Sequence, residues 1–129
     1  MDAADICYLS ASELVDRYRR RELSPVEVTE AVLQRIDALN PQLNAFVTVT
    51  PERAMEDARR AEETYASDDP PPLAGVPISI KDLVATKGIR TTRGSLLDPD
   101  WVPDANPVFV QRLFDAGVAC SARRTRRRA

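Results

Sequence analysis

The segment Val76-Pro77-Ile78-Ser79-Ile80-Lys81-Asp82 places a lysine at the end of an alternating apolar run, with a serine and an aspartate close by. Val76, Ile78 and Ile80 share one side of a period-two pattern, and Ser79 and Lys81 point to the other. An amine leaving such a strand among apolar neighbours loses water. Desolvation favours the neutral amine, and a neutral amine can accept a proton. The same spacing also describes a strand-end lysine that lays its stem on apolar surface and pairs its head with Asp82. Both readings stand on the residues alone.

Other candidates carry less. Thr91-Thr92-Arg93-Gly94-Ser95 can offer hydroxyls and backbone N–H groups to an anion, but it lacks the glycine spacing and Lys-Ser/Thr pair of a phosphate loop. Asp68 and Asp69 sit in a proline-rich stretch and read as solvated. Asp98 and Asp100 are weak metal candidates. Trp101, beside Pro103, reads as a packed or half-packed ring. Cys7 and Cys120 lie far apart in a chain with no histidine, so neither a zinc pattern nor a disulfide framework is indicated.

The elements that must position these residues are well punctuated. Ser10 followed by Glu13 forms a capping box for a first helix, with Arg17, Arg19, Arg20 and Arg21 toward its C-terminal end. Ser24-Pro25-x-Glu27 starts a second helix, whose stripe Val28, Val32, Leu33, Ile36 and Leu39 ends at Asn40-Pro41. Leu43 to Thr50 reads as a short strand, and Pro51 opens a third helix running to about Tyr65. Ser67 to Pro72 is a surface loop. Pro77 argues for an edge strand, and Thr86-Lys87-Gly88 for a turn. A last helix runs from about Pro107 to Ala116 and stops at Gly117.

Pro72-Leu73-Ala74-Gly75-Val76-Pro77-Ile78-Ser79-Ile80-Lys81-Asp82, with Thr86-Lys87-Gly88-Ile89 and Thr91-Thr92-x-Gly94-Ser95, closely resembles the amidase signature family. Ser24-Pro25-Val26-Glu27, Leu43-Asn44-Ala45-Phe46 and Asp104 to Gly117 extend the likeness over residues 9 to 118. The resemblance implies an α/β fold, a mixed sheet flanked by helices, of which residues 1–118 are an N-terminal part. It also implies carboxamide hydrolysis through a Ser–cis-Ser–Lys triad, with Lys81 as the lysine and no metal or organic cofactor. The family includes amidases and the glutaminase-like A subunits of aminoacyl-tRNA amidotransferases. Small-molecule amides and the other chains of an amidotransferase are therefore the implied partners. Both catalytic serines of the family lie downstream of this region, and Ser79, Ser95 and Ser121 match neither. Alone, the chain is expected to be inactive and to expose apolar faces that further chain would cover. A non-catalytic interaction module is the remaining alternative.

Composition sets the frame. With 129 residues, 43% hydrophobic and 29% charged, the chain reads as one globular domain at most. No apolar run is long enough to span a membrane and no secretory signal opens the sequence, so a cytoplasmic location is expected. The net charge of −2 becomes −7 without the last ten residues, which hold five arginines. So acidic a body argues against direct nucleic-acid binding. Residues 119–129 thus form an Arg-rich tail of different composition, where the resemblance leads one to expect a buried apolar strand and then Gly-Lys-Thr-Asn. One permitted codon choice for residues 119 to 128 is GCG TGC TCG GCA AGA CGA ACA CGC CGG AGA. Read from the third base of the Ala119 codon, it gives Val-Leu-Gly-Lys-Thr-Asn-Thr-Pro-Glu. A frameshifted or otherwise aberrant end is the expectation, with a genuine basic arm as its rival.

Overall fold

Two serines start the helices that carry the N-terminal half. In the computed structural model, which describes residues 1–124, Ser10 and Ser24 each accept a hydrogen bond from the backbone three residues on. Glu13 and Glu27 accept in return from the serine N–H groups, closing two capping boxes. The first helix, α1, spans Ala3–Cys7 and is capped by Asp2; five residues are too few to show an apolar stripe in the sequence. Then follow α2, Ala11–Arg19, and α3, Pro25–Leu43.

Asn40-Pro41 does not end α3, as the dipeptide suggests. Pro41 lies in the last turn, where a missing N–H removes one intrahelical bond. The helix closes three residues later at Asn44, in the left-handed region at φ 48°. Asn40 turns back to hold the next strand, accepting from the Phe46 N–H and donating to the Phe46 carbonyl. That strand, β1, is Phe46–Val49, and α4 spans Pro51–Tyr65 with Ala54, Ala58 and Ala61 buried.

Then come β2, Pro77–Lys81, α5, Val108–Asp115, and β3, Ala119–Arg124. The sheet order is β1-β3-β2. The middle strand pairs antiparallel with β1 and parallel with β2, so the sheet is mixed, and β2 lies at an edge as Pro77 requires. The first six residues of the stretch set apart by composition therefore form the central strand. Thr125 to Ala129 lie outside the described residues.

The parallel pairing is set up before β2 begins. The Leu73 N–H donates to the Ala116 carbonyl, Gly75 to Gly117 and Ala119 to Val76, each at 2.9 Å. Gly75 and Gly117 permit this approach with φ of 78° and 94°. A Cβ on Gly117 would stand 2.8 Å from the Ala74 Cα, and one on Gly75 2.6 Å from the Pro25 Cβ. Two apolar clusters flank the junction. One joins Ile6, Leu14, Tyr18, Val28 and Ala31; the other joins Ile80, Ile89, Val110 and Cys120. The Tyr18 hydroxyl, buried in the first, donates to the Gly75 carbonyl at 2.9 Å.

Candidate active site

Lys81 is the last residue of β2 and so sits at the C-terminal end of a parallel strand pair, where open α/β sheets gather ligands. It is half-buried; Ile80 before it is buried and Ser79 is exposed. In register, Ser79 faces Ala122 and Lys81 faces Arg124. Asp82 does not serve Lys81. Successive strand residues point to opposite faces, and the Asp82 carboxylate turns inward to 1% exposure.

There it meets Arg123, which is wholly buried. The Arg123 Nε donates to Asp82 Oδ1 at 3.2 Å, and the Thr92 N–H donates to the same oxygen at 3.0 Å. The Thr92 hydroxyl donates to Oδ2. Burial pushes the Asp82 carboxyl upward, but the Thr92 hydroxyl, the Thr92 amide and the Arg123 guanidinium together outweigh it and hold the group below its ordinary range. The rest of the Arg123 fork donates to Thr86 Oγ1 and to the carbonyls of Lys81, at 3.3 Å, and of Val84. Sequence reasoning missed this arginine by grouping it with its neighbours on composition. The available signal was the strand alternation that denies Asp82 to Lys81.

The loop of residues 91–95 does not offer itself to an anion. Thr91 N–H donates to the Trp101 carbonyl and Thr92 N–H to Asp82, while Arg93 N–H goes to the Asp82 carbonyl. Gly94 N–H goes to the Thr92 hydroxyl and Ser95 N–H to the Thr92 carbonyl. Every N–H of the loop is committed inside the fold. The Arg93 guanidinium covers the half-buried Trp101 ring at 4.4 Å. Asp98 and Asp100 are exposed, and among the described residues no three His, Cys, Asp or Glu side chains come together to hold a metal ion.

The serines are scattered. Ser95 accepts from the Leu97 N–H in the loop. Ser79 and Ser121 come together along a cavity of about 220 Å³ lined also by Ile6, Val28, Ile36 and Phe46, which Lys81 does not line. The Ser121 hydroxyl is buried and finds no partner among the described residues. Burial pushes the Cys7 and Cys120 thiols upward, which makes both poor nucleophiles. Among the described residues, Lys81 thus stands half-buried on a fixed strand end, apart from the cavity that Ser79 and Ser121 line.

A family of sequences described as Amidase matches residues 27–124. The chain belongs to the amidase family. It is 46% identical over 109 residues to the A subunit of the glutamyl-tRNA(Gln) amidotransferase of Geobacter metallireducens, covering 84% of this chain and 22% of that protein. The corresponding protein of Carboxydothermus hydrogenoformans is 42% identical over 114 residues, 88% of this chain and 24% of its own length. Among solved structures, the native peptide amidase of Stenotrophomonas maltophilia superposes with a TM-score of 0.84 at 30% identity, over 91% of this chain and 24% of that one. A fatty acid amide hydrolase superposes with a TM-score of 0.86 at 25% identity, over 95% and 22%. The chain therefore spans about a quarter of the length of the relatives it matches. Its mixed sheet with flanking helices is part of the amidase fold. Among the described residues, no helix is long and apolar enough to cross a membrane.

Proposed function

We propose that these residues belong to the amide-hydrolysing part of an amidotransferase, its A subunit, with Lys81 as the base. The observation that carries this reading is the 46% identity to the glutamyl-tRNA(Gln) amidotransferase of Geobacter metallireducens across the segment that holds Lys81. The position of Lys81 at the C-terminal end of β2 supports it.

In the proposed reaction, the unprotonated Lys81 amine takes a proton from a bridging serine, which takes one from the nucleophilic serine. The alkoxide adds to the carboxamide carbon of glutamine. The C–N bond breaks, the relayed proton leaves with nitrogen as ammonia, and an acyl-enzyme remains for water to cleave. Both serines, in this reading, come from chain outside the 129 residues. In this reading, released ammonia serves a tRNA-linked acceptor on partner subunits.

The test is a chimera. Residues 9–118 replace the matching segment of the Geobacter metallireducens protein, produced with its partner subunits, and ammonia release from glutamine is measured. Retained turnover is expected, with Lys81→Ala and Lys81→Arg each lowering kcat about 100- to 10,000-fold. Undiminished turnover in Lys81→Ala would end the assignment. A folded chimera that turns over nothing would favour an interaction module instead.

A further inference from the structure

A buried arginine needs acceptors for its donors, and Arg123 draws four from one short turn. They are the Asp82 carboxylate, the Thr86 hydroxyl and the carbonyls of Lys81 and Val84, all within residues 81–86. Two of the four belong to the main chain. This changes what the guanidinium does: it neutralises a carboxylate and also clamps the path of the backbone.

The peptide unit joining Lys81 to Asp82 is held at both ends. Its carbonyl accepts from Arg123 Nη2 at 3.3 Å and from the Val84 N–H at 3.0 Å. Its N–H donates to the Arg124 carbonyl at 3.0 Å. The Asp82 carbonyl accepts from the Arg93 N–H at 3.0 Å, and its carboxylate takes Thr92. With that peptide plane immobilised, the Lys81 side chain departs from a fixed backbone and only its own torsions remain free. In register Lys81 faces Arg124, with Arg123 and Asp82 the charged residues next to that pair along the chain.

We propose that Arg123 is a positioning residue for Lys81, clamping the strand end from which that amine projects. The inference rests on the reading of Lys81 as the base. A lysine at 123 keeps the charge beside Asp82 but cannot fork to two carbonyls, a carboxylate and a hydroxyl together.

The sequence supplies its own control, because its two lysines are the half-buried Lys81 and the exposed Lys87. The experiment is competitive acetylation of the 129-residue chain with acetic anhydride at one fixed pH, folded and in urea, the ratio of Lys81 to Lys87 being read by peptide mass spectrometry. In the unaltered folded chain the half-buried Lys81 is expected to be labelled several-fold less, relative to Lys87, than in urea. Arg123→Met is expected to move the folded ratio toward the urea value. Thr86→Val, which removes one acceptor and keeps the guanidinium, is expected to move it part of the way, with α3 amide-exchange protection unchanged. A folded ratio that Arg123→Met leaves in place overturns the clamp while the Lys81 reading, tested by the chimera, stands. If the folded and urea ratios coincide in the unaltered chain, the strand end does not hold Lys81 and the clamp falls. Should Arg123→Met not fold, Thr86→Val decides, and an unmoved ratio there overturns the proposal.

Discussion

Lys81 and Asp82 are adjacent in sequence and opposed in role, one half-buried at the end of β2 and the other sealed against Arg123. The aspartate carries a pH dependence of definite sign. Its folded carboxyl titrates below its ordinary value of 3.8, so the stability it contributes is present above that value and lost as pH falls through the folded one. Urea unfolding midpoints are expected to drop below about pH 4, and Asp82→Asn to flatten that part of the profile. At pH 7 the same substitution leaves a buried guanidinium without its counter-charge, and a loss of about 3–5 kcal/mol is expected from the denaturation curves. The place of Lys81 at a strand end was legible because an alternating apolar run leads to it. Arg123 was not, because a buried arginine and a solvated one share a letter, and only the acceptors at 82, 84 and 86 tell them apart.

At the scale of elements, local chemistry was readable and long-range pairing was not. Ser10 with Glu13 and Ser24 with Glu27 announce their helices because a capping box is closed within four residues. Pro51 and the alanines of α4 do the same. Pro41 reads locally as a stop, yet α3 carries it in its final turn and closes at Asn44. Nothing local in Ala119–Arg124 says strand; Ser121 and Arg123 are buried there by the strands on either side. The junction of the two halves can be probed through Tyr18. Tyr18→Phe keeps the ring in its cluster and leaves the Gly75 carbonyl unpaired. A loss of about 1–3 kcal/mol in thermal or urea unfolding is expected.

The described residues together carry two modest apolar clusters and a surface with uncovered apolar side chains. Leu96 and Leu97 are 94% and 97% exposed on the loop after Ser95, and Val108 and Phe109 stand out on α5. Leu96→Ser with Leu97→Ser is expected to change unfolding free energy by no more than about 0.5 kcal/mol. The pair should nevertheless reduce binding of an apolar dye and retention on a hydrophobic column. Their exposure fits a chain that spans about a quarter of the length of its relatives.

The strand order has a kinetic side. Among the described residues, β1 and β2 are hydrogen-bonded into one sheet through β3, which follows both by dozens of residues. On the ribosome, every helix can therefore coil while the two outer ribbons wait unhydrogen-bonded, until the last of the three clears the exit tunnel and closes the ladder from both sides at once. A stalled nascent chain released before residue 119 would carry helices and no sheet.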